Sequence, residues 1–296
     1  MKTRIKYVAN INMLFCSDFH FGSRTGLTPP AYWRNDLRKY QKERWRHWLT
    51  AKKYGPYHVI IENGDAIDGA GKRIGSAEAL EADISEQPEG AKECMLPMIK
   101  PGVTTNIVLT RGTDYHVRSP DGAVDVEKAF CDKLKALVPN VTLMPRQYVQ
   151  INSQKAARPF VILCRHDVPK GSNRMGGAGP GTLRTLAALR LEMDSMGTPD
   201  FDMAVFAHVH EYFWGEQFNT RRRSTLYVST LPGLQGKGTH FGDTKCIGTI
   251  NFGYIVVELS VDQRGNWWVG HLPVIGVLKA DKEQITRINA DEVVTV

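Results

Sequence analysis

Five apolar runs in this 296-residue chain each leave an aspartate or a histidine just beyond their carboxyl end: MLFCSDFHFG, HVIIENGDAID, NIVLTRGTDYH, FVILCRHDVP and MAVFAHVHEYF. The residues so placed are Asp18 and His20, Asp65 and Asp68, Asp114 and His116, His166, and His208 and His210. Five of the nine histidines stand at these ends, and chance would not place Asp-x-His, Gly-Asp and His-x-His at successive positions of this kind. Imidazole nitrogen and carboxylate oxygen together suit zinc, manganese or iron, and a pair separated by one residue can turn both side chains toward one ion. A carboxylate in the middle of such a set can bridge two ions. Two metals about 3.5–4 Å apart form the clamp that phosphoryl hydrolysis uses, so the set reads as a dinuclear metal site.

Those residues need rigid elements beneath them. The runs are short and rich in β-branched and aromatic residues, which suits strands. Helical segments are expected near 31–53, 76–99, 124–138 and 181–196, so strands alternate with helices early in the chain, as in βαβ units. Later, STLYVSTLPG, TINFGYIVVELSVD and NWWVGHLPVI read as antiparallel strands separated by turns. An α/β first part feeding a β-rich second part predicts two packed sheets. Ligands of open α/β sheets sit outside the carboxyl ends of the strands, where these aspartates and histidines fall. No internal repeat, long low-complexity linker or boundary divides the chain, so a single domain over 1–296 is expected.

Composition narrows the class. The chain is 42% hydrophobic and 23% charged, which excludes disorder, collagen and coiled coil. Cys16, Cys94, Cys131, Cys164 and Cys246 are odd in number and far apart, with no Cys-x-x-Cys pair, and are expected to be reduced. The first residues carry Lys2, Arg4 and Lys6, but Asn10 and Asn12 interrupt the apolar stretch after them and no small-residue cleavage site is present, which makes a poor signal peptide. No run approaches the ~20 apolar residues of a membrane helix. A cytoplasmic protein without membrane contact is expected.

The motif blocks resemble those of the calcineurin-like metallophosphoesterases, which run Asp-x-His, Gly-Asp-x-x-Asp, Gly-Asn-His-Asp or Glu, His, and Gly-His-x-His. Here they read Asp18-Phe19-His20, Gly64-Asp65-Ala66-Ile67-Asp68, Gly112-Thr113-Asp114-Tyr115-His116, His166, and Ala207-His208-Val209-His210. Four blocks match closely and the third loosely. The resemblance implies a four-layer αββα sandwich of two mixed β-sheets with two divalent ions (Mn, Zn or Fe) at the sheet edge. It implies that Asp18, His20 and His210 hold the first ion, that Asp65 bridges, and that His166 and His208 hold the second. The family's asparagine ligand is absent: Asp114 or Thr113 could supply the oxygen, or the second ion is less completely held, and Asp114 is the expected ligand. His116 would be the catalytic histidine, two residues later than in the family, and Asp68 would orient it or a ligand histidine. The implied reaction is in-line attack on phosphorus by a hydroxide held between the ions, with His116 stabilising or protonating the leaving oxygen. Gly-Thr-x-x-His variants of this kind resemble phage and prophage members.

The substrate is a separate question, because such a fold hosts phosphatases, phosphodiesterases and nucleases alike. The net charge is +7, yet residues 1–60 alone carry +9 and segment 61–100 carries −5. The excess concentrates in 31–53, where Arg34, Arg38, Lys39, Lys42, Arg44, Arg46, Lys52 and Lys53 interleave with Trp33, Tyr40, Trp45 and Trp48. Such a segment could track the phosphates and stack on the bases of DNA or RNA, and the alternative is an amphipathic helix whose aromatics face the core. Arg24, just after the first ligands, could reach a substrate phosphate or be a surface arginine in a turn, while Arg221, Arg222 and Arg223 read as a solvated hairpin tip. KGSNRMGGAGPGT lacks the P-loop arrangement and reads as a loop beside the site. His47, His58, His240 and His271 lack motif context and read as structural. The leading reading is a phosphodiesterase acting on nucleic acid or nucleotides, including a nuclease. A phosphomonoesterase is the alternative, and a non-catalytic scaffold, which usually shows as missing ligands, ranks third.

Overall fold

In the strand Ile11–Cys16 (β2), Ile11, Met13 and Phe15 point to one side and Leu14 and Cys16 to the other, and both sets are buried. A strand apolar on both faces has to lie between two layers. The same division recurs in Val59–Glu62 (β3), where Val59 and Ile61 oppose Ile60, and in Asn106–Thr110 (β4), where Val108 opposes Ile107 and Leu109. The computed structural model of the chain describes residues 2–7, 10–69, 80, 83–117, 125–167, 178–219, 222–236 and 251–276.

Two six-stranded mixed sheets result. One contains Lys2–Tyr7 (β1), Arg146–Ser153 (β6), Phe160–Arg165 (β7), Met203–Phe206 (β8), Phe213–Asn219 (β9) and Ser224–Thr230 (β10), in the order β1-β6-β7-β8-β10-β9. The other contains β2, β3, β4, Asn140–Met144 (β5), Phe252–Val261 (β11) and Trp267–Gly276 (β12), in the order β12-β11-β2-β3-β4-β5. Phe15, Ile61 and Val257 of the second sheet meet Val149, Ile162 and Val205 of the first in one apolar cluster. The outer face of the second sheet is covered by helices Arg38–Leu49 (α1), Gln87–Met95 (α2) and Val126–Lys135 (α4), through Trp48, Cys94 and Phe130. The outer face of the first is covered by Ala178–Met196 (α5), through Leu186, Leu189 and Met193. A four-residue helix, Asp114–Val117 (α3), follows β4. These are the four layers, helix, sheet, sheet and helix, that the sequence led us to expect.

Expectation and structure differ in how the layers are filled. The late strands β11 and β12 do not form a region of their own: β11 pairs antiparallel with β2, so early and late segments share a sheet. The helix expected over 31–53 begins only at Arg38, because Pro29 and Pro30 open a short 3-10 turn at Pro30–Tyr32. The helix expected over 76–99 is Gln87–Met95. Residues 70–79, 168–177 and 237–250, with most of the glycine-rich stretch, His240 and Cys246, lie outside the described residues, as does Arg221. The other four cysteines are buried and unpaired.

One packing contact ties the site's first loop to a helix. A Cβ on Gly90 of α2 would lie 2.0 Å from Cζ of Phe21, whose ring is also held edge-on by Tyr32 at 4.9 Å. Gly90→Ala should therefore destabilise the fold by about 1–3 kcal/mol despite the better helix former. Urea denaturation reads this, and an unchanged midpoint would mean that Phe21 moves aside freely.

Candidate metal centre

The strands β2, β3 and β4 are parallel, and so are β7 and β8, so their carboxyl ends open on one edge of the sandwich. Beyond those ends the chain continues in a fixed lattice. Asp18 N–H donates to the Gly64 carbonyl at 2.9 Å and His20 N–H to the Asp65 carbonyl at 2.9 Å, extending the pairing of β2 with β3 into the two loops. Leu234 N–H donates to the carbonyls of Ser17 and Asp18, fastening the segment after β10 over the same place.

The backbone there is unusual. Six non-glycine residues have positive φ among the described residues, and five of them are Asp18, His20, Asp65, His208 and His210. Left-handed backbone costs an L-residue roughly 1–2 kcal/mol, so side chains are turned inward here against local preference. Glycines make room for them: a Cβ on Gly64, itself at φ +95°, would stand 2.5 Å from Nδ1 of His166.

The inward side chains converge. Asp18, His20 and His210 form one group of donors, Asp65, His166 and His208 a second, and His20, Asp65 and His116 a third, each within 4.8 Å. His210 Nε2 lies 3.1 Å from Asp18 Oδ1, and His166 Nε2 lies 2.9 Å from Asp65 Oδ2. His20 Nε2 faces Asp18 Oδ1 at 3.8 Å and Asp65 Oδ2 at 3.9 Å, and His208 Nδ1 lies 3.9 Å from the same Asp65 oxygen. Asp18, Asp65, His20 and His166 are buried, while His208 is exposed.

The far nitrogens decide what the near ones can do. His166 Nδ1 donates to the Asn63 carbonyl at 2.6 Å, His116 Nδ1 to the Asp68 carbonyl at 2.6 Å, and His20 Nδ1 to Asp68 Oδ1 at 3.2 Å. Each of these rings then presents Nε2 to the centre, and in the neutral ring that nitrogen is a lone pair facing carboxylate oxygens. Such a contact requires a cation between the atoms or a proton on the ring. Donors bound to one ion at about 2.0–2.1 Å stand about 3.0–3.4 Å apart in regular geometries, close to the shorter spacings found. The residues therefore fit a divalent metal, with a carboxylate and imidazoles as the donor set.

Electrostatics agree. Burial opposes charge on Asp18, but the imidazoles of His210 and His20 outweigh it and hold the carboxyl well below its usual range. Burial likewise opposes charge on Asp65, and His166 and His116 outweigh it. Burial would push His20 and His166 down, yet the facing aspartates push both up to about 10. For His116 burial wins and the imidazole is pushed below its ordinary value.

Asp114 is the residue that the structure does not bring in. It heads α3, is exposed and belongs to none of the three donor groups. The short helix turns its carboxylate outward, and Thr113 faces Asp65 instead: its N–H donates to Asp65 Oδ1 at 2.7 Å, and its hydroxyl lies 3.1 Å from that oxygen and 3.3 Å from Oδ2. With Oδ1 so held, Oδ2 is the oxygen that faces the imidazoles of His166, His20 and His208. Asp68 sits between His20 and His116, its carboxylate on the former and its carbonyl on the latter.

The arginines also resolve. Arg24 pairs with Asp36 at 2.5 Å on the surface. Arg222 is not part of a solvated tip: it pairs with Asp200 and Asp202 at 2.6 Å each. Arg44 is buried, donating to the Thr25 carbonyl and stacked 3.4 Å over the Tyr40 ring. Trp45 and Trp48 are buried as well, so these two aromatics belong to the core and are closed to bases, while Arg34, Arg38, Lys39, Lys42, Arg46, Lys52 and Lys53 are exposed. Sequence reasoning missed Thr113 as a support for Asp65 and Arg44 as a core residue. The only available signal was the Thr that stands where the family has Asn.

No protein-family model and no curated protein matches the chain. Solved structures to which it is similar include Vps29 from Chaetomium thermophilum, at 11% identity over 89% of this chain and 97% of that one, with a TM-score of 0.38. A metallophosphoesterase from Sphaerobacter thermophilus is 12% identical over 84% of each chain, with a TM-score of 0.34. The calcineurin-like phosphoesterase YfkN from Bacillus subtilis is 12% identical over 90% of each chain, with a TM-score of 0.38. Likeness at this level carries no argument about the site, which rests on its own geometry. The chain resembles the calcineurin-like metallophosphoesterases in its two mixed sheets flanked by helices and in the order of the residues at its strand ends.

Proposed function

We propose that the protein is a dinuclear-metal phosphoesterase that cleaves phosphodiesters, with nucleic acid as the substrate class. The observation that carries this is the convergence of carboxylate and imidazole donors from five residues held at positive φ. A fold keeps strain of that order where something bound offsets it. When bound, divalent ions supply Lewis acidity: they lower the pKa of water and spread the charge of a phosphoryl group.

The chain's own groups have separable tasks. Asp18, His20 and His210 would hold one ion, His166 and His208 the other, and Asp65 would serve both. Asp68 orients two rings at once, fixing His20 by its carboxylate and His116 by its carbonyl. His116, with Nδ1 donated away, presents its other nitrogen toward the same space as His20 and Asp65, where it would contact the leaving oxygen of a substrate or, when protonated, give it a proton. Arg24 is held by a surface ion pair of the kind worth about 0–1 kcal/mol, which a substrate phosphate can displace.

The nucleic-acid assignment rests on α1. Its buried residues lock it to the loop that follows His20, through Arg44 and the Thr25 carbonyl, and its outer face then carries the exposed lysines and arginines away from that loop. No described carboxylate pairs with Arg38, Lys39, Lys42 or Arg46, which leaves them open to phosphates.

Hydrolysis of a chromogenic phosphodiester and of its monoester with added manganese, followed by single-stranded and duplex DNA at several salt concentrations, tests the reading. Diester preference and DNA cleavage that weakens with salt are expected. Lys39→Glu with Lys42→Glu should flatten the salt dependence and leave the small diester unaffected. Preference for the monoester would make the protein a phosphatase, and inertness on every substrate with metal bound would make it a scaffold.

A further inference from the structure

Outside the strand-end residues, one buried carboxylate is wired to the centre. Glu127 lies in the first turn of α4, is 3% exposed, and directs both oxygens at one donor, the Gly112 N–H, at 3.0 and 3.2 Å. Burying a carboxylate is expensive and one neutral amide is small compensation, so the contact calls for a reason.

The reason is visible one residue on. Gly112 is pressed against Asp65 so closely that a Cβ there would stand 2.0 Å from Oδ1, and the next residue, Thr113, holds that same oxygen with its N–H and hydroxyl. The rest of the α4 terminus clamps the same stretch. Asp125, the helix N-cap, accepts from Lys128 N–H at 2.9 Å with one oxygen and pairs with the Arg111 guanidinium through the other. Arg111 N–H donates to the Met144 carbonyl at 2.9 Å from β5. The path from helix to centre therefore runs from Glu127 to the Gly112 amide, through Thr113, to Asp65 Oδ1.

The geometry points to Glu127 as a positioning residue for the bridging carboxylate: it fixes the Arg111–Gly112 peptide, and so the place of the Thr113 amide that follows it, which commits Asp65 Oδ1 and leaves Oδ2 toward the ions. This rests on the dinuclear reading above and adds to it a residue outside every motif block. Asp65 is the single carboxylate of the His166 and His208 position, so that ion depends on the path most. The Asp18, His20 and His210 position has its own carboxylate and depends on it least.

Two readouts on the full-length protein test this. In the metal-free protein the Thr113 amide proton should resonate far downfield, as a short N–H···carboxylate bond dictates. Glu127→Ala should move it upfield, and Glu127→Gln, which keeps a carbonyl acceptor at the same place, should return it close to wild type. Manganese titration by calorimetry should show one of two ions bound about 10- to 100-fold more weakly in Glu127→Ala, with the other little changed and Glu127→Gln again near wild type. Should Glu127→Ala not fold, Glu127→Met removes the acceptor at similar volume. An unmoved Thr113 resonance, or a moved one with both affinities unchanged, overturns the assignment. A moved resonance in a protein whose wild type binds no divalent ion leaves the positioning role standing and overturns the dinuclear reading instead.

Discussion

Asp65→Asn is expected to reduce phosphoester hydrolysis by about 10³-fold or more while leaving the protein folded, because in the dinuclear reading proposed above it removes the one carboxylate that would serve both ions. The replacement is isosteric, and the amide oxygen can still accept from the Thr113 N–H and hydroxyl that now hold Oδ1. The amide nitrogen then occupies the place of Oδ2 and presents a hydrogen to Nε2 of His166, 2.9 Å away. A neutral His166 imidazole accepts that hydrogen, which closes the His166 and His208 position to an ion. Metal analysis should find at most one ion per chain, held by Asp18, His20 and His210. Two ions per chain with wild-type turnover would show that Asp65 is not the bridge.

That these donors would converge could be read from the sequence because their positions follow from strand periodicity. Once the runs ending near Cys16, Glu62, Arg165 and Phe206 are recognised as parallel strands, their first polar residues must share an edge, and Asp18, Asp65, His166 and the His208–His210 pair do. The run ending at Thr110 obeys the same rule but leaves the choice between Thr113 and Asp114 to the loop. There residue type misleads: aspartate is the better ligand by chemistry, yet α3 turns it outward and gives the threonine to Asp65. Periodicity says where an element ends, and the backbone beyond it decides which side chain arrives.

Contacts between distant segments were not legible. Segment 31–53 reads as uniformly basic and aromatic, but Arg44 is buried in a gap that Gly236 leaves open, where any Cβ would stand 1.5 Å from Nη2. Nothing local distinguishes it from Arg46, which is exposed. Glu127 sits in an ordinary amphipathic helix pattern, and its role depends on a hydrogen bond to Gly112 that no spacing rule anticipates. Arg222 belongs to Asp200 and Asp202 for the same kind of reason: the hairpin folds back over the residues leading into β8.

Metal removal should destabilise the protein by an amount that grows with pH, and the sign follows from His20 and His166. Their imidazoles are pushed from about 6.5 in the unfolded chain up to about 10 by the facing aspartates, against the opposing effect of burial. In the metal-free protein the protons on these rings supply the positive charge that the buried carboxylates require. A raised folded pKa gives stability that is fully present below the unfolded value and is lost as pH rises through the folded one. The chelated protein should therefore lose stability steadily between about pH 6.5 and pH 10. Ions held at these rings would bind the same Nε2 atoms and displace those protons, so their affinity should rise across the same window. The two trends add: the gap in Tm between metal-loaded and chelated protein should be small at pH 6 and widest near pH 9. With free metal at about one hundred times its Kd the added stability is about 2.7 kcal/mol, or roughly 4 °C for a chain of this size. Calorimetric titration in buffers of different ionisation enthalpy should find protons released on binding at pH 7 and fewer at pH 10. A gap in Tm that stays constant or narrows as pH rises would mean that His20 and His166 do not hand their place over to metal.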